Sequence, residues 1–126
     1  MRQLNERRQS RSNNMTEALR LQLHACREAA DLTGIVLSDE DGVCIASSGD
    51  EVTCEEIAAR LPLVGRKVKD FEGILFSPWK GVEVRMRRFH VDGAELYMAA
   101  IGSTKSQRDL QLNRSIGGVA RILQAA

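Results

Sequence analysis

The residues of this sequence that are best suited to metal binding or nucleophilic catalysis are three cysteines and two histidines. Cys26, Cys44 and Cys54 could supply thiolates, and His24 and His90 could supply imidazoles, for metal binding or for nucleophilic catalysis. Zinc sites use ligands paired at short spacing, as in C-x-x-C or H-x-x-x-H, and the sequence has neither pattern. Neither histidine has a local serine, cysteine or aspartate at a spacing that suggests a triad. The sequence therefore predicts no metal, no cofactor and no enzymatic activity.

Cys54 is the one thiol for which reactivity has a physical argument. It falls in the first turn of a predicted helix, where the helix dipole and the free amides lower a thiol pKa. Glu55 and Glu56 follow it directly and disfavour the thiolate. We therefore interpret Cys54 as a half-buried structural cysteine. An odd number of cysteines at irregular spacing indicates reduced thiols, as in a cytoplasmic protein.

A cluster of basic residues could bind phosphates or nucleic acid. It comprises Arg85, Arg87, Arg88 and His90, with Lys80 nearby. However, 18 Lys and Arg against 17 Asp and Glu give a net charge of +1, far from the basic excess of a nucleic-acid-binding surface. We favour a charged, solvated sheet edge for this cluster and predict no nucleic-acid partner. The longest apolar stretch also falls far short of the ~20 residues of a membrane span.

The elements that would position these residues fit one domain within 126 residues. Residues 1–14 carry four arginines against Glu6 and one aliphatic residue, Leu4, and we predict a mobile basic tail. These residues also lack the apolar core of a secretory signal, so we expect a cytoplasmic protein. Residues 15–126 then form a single domain, beginning with a helix that Asn14 and Glu17 cap and that ends near Leu32.

Two further helices show an apolar face at helical spacing. A capping box formed by Thr53 and Glu56 predicts the start of the second helix, which we expect to continue past Pro62 to Val68 as a kinked helix. The last helix is predicted over residues 108–124. Its Gly117-Gly118 pair indicates close approach to another backbone, since each glycine costs about 0.8–1 kcal/mol relative to Ala.

Five strands are predicted between these helices. The stretch IVLSDEDGVCIA, residues 35–46, is predicted to form a tight hairpin, with Gly42 at positive φ. A calcium loop is excluded because the alternating oxygen ligands and the Glu at the twelfth position are missing. Strands follow at 73–77, 82–87 and 94–101, joined by a Pro78–Gly81 turn and an Asp92-Gly93 turn. Residues 94–101 are apolar on nearly both faces, as in a central strand.

This order of elements and the hairpin residues Asp39, Gly42, Ser47 and Gly49 carry a resemblance. The chain resembles the Roadblock (dynein light chain) family, and is most similar to the bacterial Roadblock proteins that regulate Ras-like gliding-motility GTPases. The resemblance covers residues 16–125. It implies an α+β fold in the order α-β-β-α-β-β-β-α, with a five-stranded antiparallel sheet flanked by helices.

The resemblance also implies a homodimer in which two such sheets join edge to edge and the second helices pack side by side. Carried over by position, the dimer interface comprises Ile74 and Phe76 on the joining strand and Leu61, Val64 and Val68 on the paired helix. An open sheet edge in one copy agrees with this expectation, because open edges tend to be paired or protected.

A small GTPase is then expected to dock across the paired second helices. The exposed candidates for this contact are Glu55, Glu56, Arg60, Arg66 and Lys67. Pro62 departs from the family pattern and could alter the docking surface. Two alternatives to a non-catalytic GTPase regulator or adaptor remain open, namely an assembly scaffold without effect on GTP turnover and a small-ligand sensor module.

Overall fold

The computed structural model describes the backbone of residues 2–76 and 80–125, and the side chains of these ranges from residue 13 onward. Three helices and five strands follow one another in the predicted order α-β-β-α-β-β-β-α. They are α1 (Arg2–Ala30), β1 (Gly34–Asp39), β2 (Cys44–Gly49), α2 (Glu51–Gly65), β3 (Asp70–Phe76), β4 (Gly81–Val91), β5 (Ala94–Ile101) and α3 (Lys105–Ala125).

The strands form one antiparallel sheet in the order β2-β1-β5-β4-β3. Helices α1 and α3 cover one face, and α2 covers the other. The predicted fold is confirmed. The central strand β5 alternates between two cores: Leu96, Met98 and Ala100 pack toward α1 and α3, while Tyr97 and Ala99 pack toward α2. Cover on both faces explains why this strand is apolar throughout.

The hairpin between β1 and β2 is held by local turn chemistry, as predicted. Asp39 Oδ1 accepts hydrogen bonds from the amides of Asp41 (2.9 Å) and Val43 (3.0 Å). Gly42 has a φ of 80°, a conformation that side-chain-bearing residues rarely adopt. The acidic residues here therefore close a turn. The second predicted hairpin turn, at Asp92-Gly93, also occurs, whereas residues 77–79 of the predicted Pro78–Gly81 turn lie outside the described residues.

Helix α1 begins earlier than the sequence predicts. Its backbone is helical from Arg2, so the predicted start at Asn14 is wrong. The segment RQLNERRQSRSNN contains neither proline nor glycine, and a helix entering it meets no residue that must end it. That residues 1–14 act as a mobile basic tail, and residues 15–126 as a single domain, stays a prediction.

Helix α2 begins at a different cap from the predicted one. Asp50 is the N-cap, and its Oδ2 accepts hydrogen bonds from the Thr53 amide (2.9 Å) and the Thr53 hydroxyl (2.6 Å). The predicted capping box of Thr53 and Glu56 is therefore wrong. The Glu56 carboxylate instead pairs with Arg60 one turn further along, at 2.9 Å.

The end of α2 also differs from the prediction. The helix ends at Gly65, so Pro62 lies in its last turn, and Val68 lies beyond it. A Cβ at residue 65 would overlap the Tyr97 ring, and Arg88 Nη1 donates a hydrogen bond to the Gly65 carbonyl oxygen at 2.9 Å. The hydrogen bond from β4 satisfies a carbonyl group at the end of the helix, and the Tyr97 ring from β5 packs against that end. The predicted kinked helix to Val68 is therefore wrong.

Helix α3 covers β4 and β5 and packs on α1. A Cβ at Gly118 would overlap the Gln22 side chain, so this glycine allows α3 to lie close to α1. The three atoms nearest to such a Cβ all belong to the Gln22 side chain of α1.

Candidate interaction surfaces

The basic cluster on β4 lies inside the sheet, so its interpretation as a charged edge is wrong. Strand β4 is hydrogen-bonded to β5 on one side and to β3 on the other. Arg85 and Arg87 face α3 and form ion pairs with Asp109 (3.0 Å) and Asp70 (2.7 Å) respectively. Arg88 points to the opposite face, against the end of α2. The cluster therefore joins elements of the fold and offers no continuous cationic surface.

Strand β3 forms one edge of the sheet, and its backbone groups can be assigned to the paired or the free side. The Arg88 amide donates to the Lys69 carbonyl oxygen at 2.8 Å, and β3 and β4 continue in that register. Because successive residues of an antiparallel strand alternate between partner and opposite side, residues 71, 73 and 75 bond to β4. The amide and carbonyl groups of residues 70, 72, 74 and 76 therefore face the free edge.

The side chains of those outward residues stand on the face that carries α3. Ile74 lies directly opposite Glu83, which pairs with Arg108 of α3 at 3.3 Å. Ile74 and Phe76 are 55% and 67% exposed and lie over Gly81, where a Cβ would overlap the Ile74 side chain. Among the residues that the structure describes, the β3 edge thus combines backbone groups that point away from β4 with two exposed apolar side chains.

The opposite edge, β2, is less regular. Its pairing with β1 shifts register between Leu37 and Ser38, and Ile45 falls at this irregularity. Such a bulge bends a strand and interrupts its ladder of hydrogen bonds, so the edge pairs less readily with another strand. Strand β3 is therefore the edge better suited to pair with a second chain.

The predicted dimer residues occupy different environments. Leu61 is fully buried (0% exposed) in the core between α2 and the sheet, so it cannot contact a second copy, and its assignment to the interface is wrong. Val64 is half-buried at the margin of the same core. Val68 is exposed in the turn after α2, and Ile74 and Phe76 are exposed on β3. The spacing of Leu61 predicts a helical face correctly, but not which neighbour covers that face.

The predicted partner-binding residues lie on or just after α2. Glu55 is exposed on the helix, and Glu56 and Arg60 form the ion pair described above. Arg66 follows the helix and donates to the Glu40 carbonyl oxygen at 3.5 Å, which ties the hairpin tip to the helix end. Lys67 is exposed in the same turn. The structure therefore brings these five residues together along one surface.

An apolar stripe runs between those charged residues and was not predicted from the sequence. Val52 (63% exposed) and Leu63 (61% exposed) lie on the outer side of α2, with the exposed Ala59 between them. We call these three residues the outer α2 stripe. Their spacing of seven and four residues is helical and could have been found. The outer α2 stripe was overlooked because Ile57 and Leu61, which mark the buried face, form a stronger apolar pattern in the same helix.

Cys54, the thiol for which the sequence gives an argument for reactivity, is buried. Cys54 has no exposed surface, and its Sγ donates to the Ser48 carbonyl oxygen at 3.6 Å. Burial, with a smaller contribution from Cys44, raises the pKa of the Cys54 thiol to about 11, so the thiolate is not populated at neutral pH. Within residues 13–76 and 80–125, no group of three or more His, Cys, Asp or Glu side chains could hold a metal ion.

An open polar groove of about 630 Å³ separates α1 from the junction of β2 and α2. Arg27 crosses it and donates to the Ser48 hydroxyl at 2.8 Å, while His24 Nδ1 lies 3.1 Å from the same hydroxyl. Arg20 pairs with Glu17 at 2.6 Å, and Asp50 adds a carboxylate to the lining. Charges of both signs neutralise each other here, so the groove does not favour one class of charged ligand.

Helices in the described part of the chain do not combine the length and apolarity that a membrane crossing requires. Comparison with known proteins gave no matching protein family and no matching curated protein.

Solved structures do match the fold over most of the chain. MglB from Myxococcus xanthus superposes with a TM-score of 0.61 at 10% identity, covering 87% of this chain and 90% of that one. A structure of MglB with a tetrameric arrangement gives 0.65 at 12% identity, covering 88% and 91%. The gliding protein MglB from Thermus thermophilus gives 0.60 at 14% identity, covering 89% and 93%.

The superpositions cover 87–89% of this chain, so they include most of its helices and strands. The resemblance predicted from the sequence is thereby confirmed in the fold: this chain has the Roadblock-type fold of MglB.

Proposed function

We propose that this chain is a homodimeric, non-catalytic Roadblock-type protein of the cytoplasm that binds a Ras-like small GTPase and modulates its nucleotide state or its localisation. The observation that carries the proposal is a fold shared with MglB along nearly the whole chain, combined with an unpaired and partly apolar β3 edge. The GTPase itself supplies the groups that hydrolyse GTP, and this chain supplies a surface.

The dimer forms by antiparallel pairing of β3 with its copy. The outward amides and carbonyls of residues 70, 72, 74 and 76 then find partners, which a solvent-exposed edge lacks. Registers that set Glu72 opposite its own copy are disfavoured because like charges would face each other. Registers that bring Ile74 or Phe76 beside an apolar side chain of the copy are favoured.

Pairing at β3 brings the Gly65 ends of the two α2 helices toward the two-fold axis, because α2 packs mainly on β1 and β2 and its Gly65 end reaches Arg88 on β4, next to β3. Val64 and Val68 would lie at this seam as the surface-accessible members of the predicted helix contact. The outer α2 stripe of each copy stays exposed beside them.

The GTPase docks on the outer α2 stripe. Val52, Ala59 and Leu63 form an apolar centre, and the charged side chains around it form a polar rim, which is the usual anatomy of a protein interface. The rim comprises Glu55, Glu56, Arg60, Arg66 and Lys67. Because the Glu56–Arg60 pair is already formed in the free chain, we expect the apolar centre to contribute more affinity than the rim.

The test uses Leu63→Asp and a matched control, Leu110→Asp, which changes a similarly exposed leucine on α3. The Ras-like GTPases of the native cell are purified singly, loaded with GTP, and assayed for binding and for hydrolysis. We expect one of them to bind the wild-type chain and the Leu110→Asp variant, and to bind Leu63→Asp about tenfold or more weakly, since central apolar anchors dominate interface energies.

Failure of every GTPase to bind the wild-type dimer would contradict the proposal, as would equal binding by both variants. Binding that leaves hydrolysis, nucleotide exchange and cellular location unchanged would favour the assembly scaffold over the regulator.

A further inference from the structure

The outward backbone groups of β3 limit the registers in which this strand can pair with a copy of itself. Residues 70, 72, 74 and 76 each present one amide and one carbonyl group away from β4. In an antiparallel pair, two residues exchange both hydrogen bonds only when each presents its groups to the other. An outward residue must therefore stand opposite an outward residue of the copy, and only registers that differ by two residues need to be compared.

One register pairs the whole strand. If residue 72 stands opposite residue 74 of the copy, residue 70 stands opposite residue 76, and the two-fold axis passes through Gly73 in the middle of β3. All outward amides and carbonyls of both copies then enter one ladder. Glu72 faces the copy's Ile74, and the two Ile74 side chains are diagonal neighbours across the axis, within reach of each other.

The registers on either side of this one leave outward groups without partners. Setting Glu72 opposite the copy's Glu72 brings like charges together, and it extends the pairing to Val68, whose amide already donates to α2 at 3.1 Å. Setting Ile74 opposite the copy's Ile74 places Asp70 opposite position 78, which is a proline in the sequence and has no amide hydrogen. Larger shifts shorten the ladder further.

The same register brings apolar side chains of the two copies together on the α2 face. Phe71 and Leu75 are half-buried at the margin of the core beneath α2. Phe71 then lies opposite the copy's Leu75, while Gly73 faces its own copy as a non-hydrogen-bonded pair, with Cα atoms about 4.5 Å apart. A Cβ at residue 73 would lie 2.9 Å from Phe71 Cζ, so this glycine leaves room for the Phe71 ring beside the axis.

We propose that β3 pairs with its copy about a two-fold axis at Gly73, and that Phe71 and Leu75 form the apolar contact of this dimer on the α2 face. The inference rests on the proposed homodimer but not on the docking of a GTPase. It assigns to the interface two residues that the sequence did not predict there, and it fixes which residues of the two strands face each other.

Cysteine cross-linking in the full chain tests the register. Glu72→Cys and Ile74→Cys are expressed singly and are also co-expressed with different affinity tags. Oxidised glutathione takes up the two electrons and two protons that a disulfide releases. We expect the co-expressed pair to cross-link, because opposing residues of a hydrogen-bonded pair have Cα atoms about 5.5 Å apart. Each variant alone should cross-link about tenfold less, since its diagonal partner is about 7–8 Å away.

The wild-type chain is the control for the native thiols. Cys26 and Cys54 are buried and Cys44 is half-buried, so we expect no cross-linked dimer from the wild type under the same conditions. Light scattering before oxidation gives the oligomeric state of each sample.

The contact on the α2 face has its own test. We expect Leu75→Ala to raise the dimer dissociation constant about tenfold, because it removes an apolar side chain from the centre of the interface. Leu110→Ala, which shortens an exposed leucine on α3, should leave that constant unchanged. Circular dichroism confirms that both variants are folded. A Leu75 that served only the core of one chain would lower the stability of the fold and leave the dissociation constant unchanged.

The outcomes separate this inference from the proposed function. A monomeric wild-type chain overturns the homodimer and the register together. A wild-type dimer overturns the register alone if Glu72→Cys or Ile74→Cys cross-links to its own copy as readily as the pair does, or if no combination cross-links. An unchanged dissociation constant for Leu75→Ala overturns the contact on the α2 face.

Discussion

Cys54 shows, at the scale of single residues, how burial overrides a local signal. Its place in the first turn of α2 favours the thiolate, but its side chain lies beneath β1 and β2, where a Cβ on Gly34 would contact its sulfur. Desolvation is the largest cause of its raised pKa. The position of Cys54 in the helix and its neighbours Glu55 and Glu56 are evident from the sequence. The packing of the β1–β2 hairpin against Cys54, which excludes water from the thiol, is not.

The raised Cys54 pKa predicts a loss of stability at alkaline pH. The unfolded thiol ionises near its ordinary pKa of 9.0, while the folded thiol keeps its proton until about 11. The contribution is therefore complete below pH 9 and is lost as the pH rises to 11, by roughly 2 kcal/mol. Urea denaturation at pH 8–11 should show a steeper decline for the wild-type chain than for Cys54→Ala. Parallel declines would contradict burial as the cause.

At the scale of a secondary-structure element, the free edge of β3 leads to a testable prediction. The Ile74 amide points away from β4, so Ile74→Pro removes a donor at the free edge and leaves the ladder to β4 intact. We expect a folded monomer. Ile74→Ala shortens the same side chain but keeps the amide, and we expect it to remain a dimer of lower affinity.

Sedimentation velocity measures the outcome for both variants, and circular dichroism confirms that each is folded. A dimeric Ile74→Pro variant would show that the copies do not pair through β3. Monomers from both variants would show that the side chain, and not the backbone ladder, holds the copies together.

The boundaries of α2 mark the limit of prediction from sequence. Helical spacing correctly identifies its buried face, since Ile57 and Leu61 are both in the core. Its end at Gly65 depends on Tyr97, which is distant in sequence, and no local pattern reports that contact. Its start depends on Asp50, whose capping pattern is local but competes with an equally regular pattern at Thr53 and Glu56.

At the scale of the whole molecule, the order of elements was predictable because turns carry local chemistry. Asp39 and Gly42 close one hairpin, and Asp92 and Gly93 close the other. The order of the strands in the sheet is not local. For that reason the arginines of β4 were expected at an edge, whereas they lie inside the sheet and pair with β3 and α3. The sequence suggested the charged residues of the proposed docking surface, which stay a prediction, but not its apolar centre.

The mass of the particle in dilute solution tests the central claim, that β3 pairs with its own copy to make the working protein. Sedimentation equilibrium at low micromolar concentration should give about 28 kDa for the wild-type chain, twice the 14.0 kDa of one chain, and the single-chain mass for Ile74→Pro. A wild-type particle of 14.0 kDa would contradict the account.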